Sequence, residues 1–264
     1  MATNPLLDEQ PAPSALDRPL LTPIKRRSFF MYAGATAGAT ALVLAGCNDD
    51  DNNTPGLIDV GSGDGGILNY AYALEQLEAA FYARIKTGSY YMASSTPAAI
   101  KQVFDDLALH EAIHRDFLKA ALTSANITPL QDLTPDFSAI DFTTLNGILT
   151  AAQTFEDTGV AAYNGAGRYI SDNTYLGLAG KIVSVEARHA ALIRDMVKYN
   201  SFVDNDVVNI FTPSSGDPGT GTPNTTPGNG IVAGGERSKK PQAILSAVNN
   251  YLAAGSKLSA NNFN

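Results

Sequence analysis

The chain has 264 residues, a formal charge of −8, a pI near 4.8 and 44 % hydrophobic residues. That length admits one large domain or two small ones, with enough apolar material for a full core. The acidic balance argues against nucleic acid and anionic membrane surfaces as partners. Cys47 is the only cysteine, so no disulfide can form within the chain.

The first 46 residues read as an export signal. Lys25-Arg26-Arg27-Ser28-Phe29-Phe30 resembles a twin-arginine motif, and the Gly/Ala-rich apolar run from Ser28 to Gly46 follows it. The run ends in Leu44-Ala45-Gly46-Cys47, which resembles a bacterial lipobox. Cleavage before Cys47 would leave an acylated cysteine as a membrane anchor. The competing reading is a single membrane-spanning anchor. Both place the domain outside the cytoplasm, in the cell envelope. Residues 47–66 are polar and glycine-rich and are expected to form a flexible tether.

Four amphipathic helices are predicted next, with a carboxylate on the apolar stripe of each. The first spans Ile67–Lys86, with a stripe of Leu68, Ala71, Glu75, Glu78, Tyr82 and Ile85. Thr96-Pro97 opens the second, which runs to about Ser124. Its stripe is Ile100, Phe104, Leu107, Glu111, His114, Leu118 and Ala121. Ile127–Phe142, with Pro129 and Pro135, reads as an ordered loop long enough to cross the bundle. The third helix, Thr143–Ala166, carries Leu145, Leu149, Ala152, Glu156, Val160 and Tyr163. The fourth, Asn173–Tyr199, carries Ala179, Ile182, Glu186, His189, Ile193 and Met196. Residues 201–264 form a C-terminal extension. Phe202–Phe211 is expected to pack back on the bundle, Thr212–Gly235 to be an exposed loop, and Pro241–Ala254 a short docked helix.

Carboxylates on apolar stripes need an explanation. A buried, unpaired carboxylate is costly and tends to protonate. These stripes hold no Lys or Arg, so bound cations are the remaining partner. Glu75, Glu111, Glu156 and Glu186 with neutral His114 and His189 would balance two divalent cations. Oxygen and imidazole donors without thiolate suit iron, manganese or zinc. Residues three apart share a helix face, so Glu111 with His114, and Glu186 with His189, can each serve one metal. Tyr82 and Tyr163 lie two turns beyond the lone glutamates and can hydrogen-bond the carboxylates. Glu78 breaks the repeat, since its counterpart is Gly159. It is either an extra ligand or, the favoured reading, a carboxylate supported from behind by an arginine of a neighbouring helix.

The doubled pattern of Glu-x6-Tyr followed by Glu-x-x-His resembles the ferritin-like superfamily of di-iron and di-manganese carboxylate proteins. Leu74-Glu75-Gln76-Leu77-Glu78-Ala79-Ala80-Phe81-Tyr82 is most similar to exported, stand-alone ferritin-like proteins, including desiccation-related ones. The resemblance covers about Ile67–Asn200. It implies an all-α fold, an antiparallel four-helix bundle with a long middle crossover. It also implies Glu75, Glu111, His114, Glu156, Glu186 and His189 as ligands to two iron or manganese ions. The activities it implies are peroxide removal, ferrous oxidation or substrate oxidation. A non-enzymatic metal-binding or desiccation-stress role, or a surface scaffold, is the alternative.

His110-Glu111-Ala112-Ile113-His114 is also a formal His-Glu-x-x-His, the pattern of zinc proteases. That reading lacks a third ligand, because no His or Glu occurs between Arg115 and Phe155, and it leaves Glu186 and His189 unexplained. His110 lies beside the stripe and reads as a helix-surface or helix-interface histidine, with support of a metal ligand from behind as the alternative.

Overall fold

The computed structural model describes residues 56–208 and 235–263. Residues 1–46, expected to form an export signal, Cys47 and residues 209–234 lie outside the described residues. Five helices carry the architecture: α1 (Gly63–Lys86), α2 (Ala98–Ser124), α3 (Leu145–Ala166), α4 (Asn173–Val197) and α5 (Pro241–Val248). α1 packs most extensively on α2, and α3 on α4, giving two helix pairs. The fold is an all-α bundle of two helix pairs, the architecture that the resemblance to ferritin-like proteins implies.

α1 is the central helix. It is apolar around most of its circumference, so Tyr70, Tyr72, Leu77, Phe81 and Tyr82 are all fully buried. Helices with one wet face are amphipathic; an all-round apolar helix must be surrounded by others. Phe81 packs against Tyr82, Phe137, Phe142 and Phe155 with ring centroids 4.7–5.9 Å apart. Truncating such a side chain to alanine costs about 3–5 kcal/mol.

The helix ends follow local chemistry. α2 stops because Asn126 adopts a left-handed conformation, with φ of 57°. The amide of Ile127 then donates to the Leu122 carbonyl at 3.0 Å, and that of Asn126 to the Thr123 carbonyl at 3.1 Å. This pair of bonds satisfies carbonyls that the last turn would leave open. The Thr144 hydroxyl accepts from the Gly147 amide at the start of α3. The Asp172 carboxylate accepts from the Thr174 and Tyr175 amides at the start of α4.

The crossover from α2 to α3 runs along α1 and is bonded to it. The Asn69 side chain accepts from the Leu130 amide and donates to the Thr128 carbonyl. Gln76 accepts from the Leu133 amide at 2.8 Å. Two buried amide side chains thus fix the strap that joins the helix pairs.

The structure departs from expectation at both ends of the bundle. The second half of the stretch expected as a tether is ordered. Ile58–Asp59 forms β1, Val60 is buried, and α1 begins at Gly63 rather than Ile67. β1 pairs in parallel with β2 (Leu258–Ser259), which supplies the partner that the isolated segment lacks. The final helix ends at Val248, and two short 3-10 turns, Asn249–Tyr251 and Ala254–Ser256, follow it. Phe202 and Val203, expected to pack inward, are 44 % and 45 % exposed. Arg194 instead holds this segment, bonding Asp206 and the Ser201 carbonyl while it pairs with Asp157 of α3 at 2.8 Å.

Candidate metal centre

One carboxylate enters the bundle interior from α1, Glu75, and one from α3, Glu156. α2 adds Glu111 and His114, and α4 adds Glu186 and His189. All four glutamates are fully buried, at 0 % exposure. The six side chains form two overlapping groups that share Glu111 and Glu186. One is Glu75, Glu111, His114 and Glu186; the other is Glu111, Glu156, Glu186 and His189. Within each group the donor atoms lie within 4.8 Å of one another.

The two halves mirror each other closely. His114 Nδ1 lies 2.7 Å from Glu186, 3.4 Å from Glu111 and 3.5 Å from Glu75. His189 Nδ1 lies 2.8 Å from Glu111, 3.7 Å from Glu186 and 3.6 Å from Glu156. Each imidazole is therefore closest to the glutamate of the opposite Glu-x-x-His pair. Glu111 and Glu186 stand between the two groups, where a bridging carboxylate belongs.

The tyrosines are placed crosswise. Tyr163 of α3 donates to Glu75 Oε1 of α1 at 2.5 Å. Tyr82 of α1 donates to Glu156 Oε1 of α3. Each lone glutamate thus has one oxygen anchored and one free. The free atoms are Glu75 Oε2 and Glu156 Oε2; both oxygens of Glu111 and Glu186 and the Nδ1 atoms of both histidines are also buried, with only one another as near polar neighbours. Buried polar atoms are almost always satisfied. A concentration of orphaned donors facing one point is the signature of a cation site, and the donor set fits two hard or borderline divalent ions.

The electrostatics agree. Burial and then the facing Glu186 hold Glu75 well above the ordinary carboxylate range. Burial raises Glu156 to about 8, against the opposing pull of His189. Burial works against charge on His114, yet its bonds to Glu111, Glu186 and Glu75 push it up to about 12. His189 is likewise pushed to about 12 by Glu111, Glu156 and Glu186, although burial opposes it. Glu111 resists its own burial and drops to about 2 because it lies between both imidazoles. Without cations the cluster must hold protons in their place.

Two further positions bear on the site: Glu78 departs from the favoured sequence reading, and His110 sits at the interface of α2 and α4. Glu78 has no arginine behind it. It is 4 % exposed and Oε2 is unpartnered, while burial and the nearby Glu186 and Glu75 raise its carboxyl strongly. Among the described residues the arginines of the bundle are used elsewhere: Arg84 over Phe142, Arg115 on Asp116, Arg188 on Ser184 and Arg194 on Asp157. Gly159 makes the space, because a Cβ there would meet Glu78 Oε1 at 3.0 Å. The second position is His110. Its Nδ1 lies 2.9 Å from His189 Nε2, so it touches the outer nitrogen of a candidate ligand. It does not join His114 in either donor group, and the zinc-protease pairing of these two histidines is not assembled.

A family model for the ferritin-like domain matches residues 63–199. The chain belongs to the ferritin-like domain family. A comparison with curated proteins returns no match. The matched span opens at the first residue of α1 and closes just beyond α4, so it contains every residue of the donor cluster. Within this ferritin-like domain a small apolar cavity of about 20 Å³ lies on the α1–α4 side of Tyr163, lined by Tyr70, Leu74, Tyr163 and Ile182 among others and by none of the six donors. It has room for about one water-sized molecule.

Proposed function

We propose that this ferritin-like protein holds two iron or manganese ions between Glu75, Glu111, His114, Glu156, Glu186 and His189, and uses them in oxidative or peroxide-stress chemistry. The observation that carries the reading is the set of orphaned inward donors, each lone glutamate having its second oxygen tied by a tyrosine. Such a metal pair supplies redox chemistry toward dioxygen or peroxide.

The protein's own groups set the conditions for that chemistry. Tyr82 and Tyr163 orient the lone carboxylates and leave one oxygen of each free. Glu111 and Glu186 keep the two positions adjacent. The apolar packing around α1 excludes bulk water.

The export and lipid-anchor reading belongs to this proposal. It rests on Arg26-Arg27 and on Leu44-Ala45-Gly46-Cys47. Among the described residues no helix is long and apolar enough to cross a membrane. Labelled fatty acid is expected to enter the wild type and not Cys47→Ser; equal labelling overturns the anchor.

Metal content separates the functional readings. Protein expressed with iron or manganese is expected to carry two metals per chain and to consume peroxide or oxygen. Two metals without turnover favours metal binding during drying or oxidative stress. A chain that takes up no metal removes the dinuclear reading and leaves a scaffold.

A further inference from the structure

The repeat that builds the site is not symmetric in what supports its histidines. The residue before one Glu-x-x-His is His110; the residue before the other is Val185. His110 lies on α2 and meets the ring of His189 on α4 edge to edge, with Nδ1 2.9 Å from Nε2, ring centroids 5.1 Å apart and an interplanar angle of 22°. His189 Nδ1 faces Glu111, Glu156 and Glu186; with a metal held there, Nε2 would carry the ring proton and donate it to His110 Nδ1. Among the described residues nothing bonds the outer nitrogen of His114, and Val185 at the matching position has no acceptor to offer. The His114 side chain is also more exposed than that of His189, 12 % against 6 %.

An outer hydrogen bond fixes the ring orientation and tautomer of a ligand histidine. A fixed ring loses less freedom when a metal binds and presents its inner nitrogen at the right angle. From this asymmetry we infer that the two metal positions are unequal: His110 is a positioning residue that makes the His189 position the tighter one. The His114 position is the weaker, more exchangeable one, and it opens toward solvent. This rests on the dinuclear reading and adds an order of filling to it.

The test is a titration of the full chain, stripped of metal by a chelator, with Mn(II), following free metal by its electron paramagnetic resonance. The wild type is expected to fill in two separated steps. His110→Ala should weaken the tighter step by about 10- to 100-fold and leave the weaker one in place. His110→Gln should preserve the tighter step, because its amide oxygen can accept the same N–H. His110→Phe keeps an aromatic ring at the position and removes the acceptor, so it should behave as the alanine variant does. Val185→His should draw the second step toward the first. Steps that coincide in the wild type overturn the inference, as does a His110→Ala titration that matches wild type or loses both steps equally. A wild type that binds no Mn(II) overturns the dinuclear reading itself, a different failure. Melting of each metal-free variant checks the fold, and His110 is exposed, so little change is expected there.

Discussion

Tyr82 and Tyr163 each hold a carboxylate that would otherwise be buried with two open oxygens. Replacing either with phenylalanine keeps the ring packing and removes one charge-assisted bond. Tyr163→Phe is expected to destabilise the metal-loaded protein by about 1–3 kcal/mol, the cost of an unsatisfied buried acceptor. It should also weaken metal binding by about tenfold or more. Chemical denaturation and metal titration of the same variant check both, and unchanged metal affinity would show that Glu75 needs no such anchor. The cluster also fixes how the metal-free protein responds to pH. Glu156, raised to about 8 in the fold against an ordinary 4.5, adds stability as pH falls through that interval. Glu75 and Glu78, raised by burial, act in the same direction. His114 and His189, raised to about 12 from 6.5, contribute fully below 6.5 and lose that contribution progressively as pH rises from there through 12. Glu111, lowered to about 2, opposes this only as pH falls from 4.5 through 2. Metal-free protein should therefore melt at a higher temperature at pH 5 than at pH 9. Metal must displace those protons, so metal affinity should fall over the same acidification. Melting curves with chelator and with excess Mn(II) at the two pH values check the pair of trends; parallel trends would contradict this account.

The helices were legible because a 3.6-residue stripe is a local property, and so was the placement of the glutamates and histidines on it. α2 starts just after Thr96-Pro97 and ends at Ser124 as its sequence suggests, but Thr96 is not the cap: Pro97 precedes the helix without a side-chain cap, and the Thr96 hydroxyl donates to the Tyr90 carbonyl. Features that depend on how two helices rotate against each other were not legible. Nothing in the spacing says that Tyr82 serves Glu156 rather than its own Glu75, or that His110 meets His189. Glu78 was misread for the same reason: the arginines that might have met it face other partners. Gly165 shows an element-level constraint that a sequence stripe cannot reveal. A Cβ there would lie 1.7 Å from the Lys239 carbonyl, because the chain leading into α5 crosses α3 at that point. The Lys239 amide donates to the Ala161 carbonyl at 3.0 Å in the same crossing. Gly165→Ala must displace this segment, since backbone cannot yield as a flexible side chain does. The expected result is a loss of about 1–3 kcal/mol, of the size overpacking costs, with faster proteolysis ahead of α5. Limited proteolysis and denaturation check it; wild-type resistance would mean that the crossing relaxes freely.

At the scale of the molecule, the last residues close the bundle's first turn. β1 and β2 are each two residues long, too short for any periodic signal, and their pairing joins Asp59 to Ser259. The Ser259 hydroxyl donates to the Asp59 carboxylate at 2.8 Å, and the Val60 amide to the Ser259 carbonyl at 3.0 Å. Phe263 lies in the core at 3 % exposure, against the backbone entering α1. Gly66 permits that approach, since a Cβ there would meet Phe263 at 2.8 Å and the Gly61 backbone at 2.6 Å. The tail thus covers the start of the central helix, whose next turns lead to Glu75. Fully burying a phenylalanine contributes about 1.5–3 kcal/mol by area alone, and its truncation costs more once the cavity is counted. Phe263→Ala is expected to lose about 3–5 kcal/mol. Deletion of residues 257–264 should cost at least as much, because it also removes Leu258 and the parallel pair. The six donors come from α1 to α4, so both variants should still take up metal at low temperature while melting earlier. Hydrogen exchange offers the finer reading: protection should fall first at Val60 and the first turn of α1, and last near Phe81. Uniform loss across α1 would mean that the tail supports the whole bundle rather than its entrance.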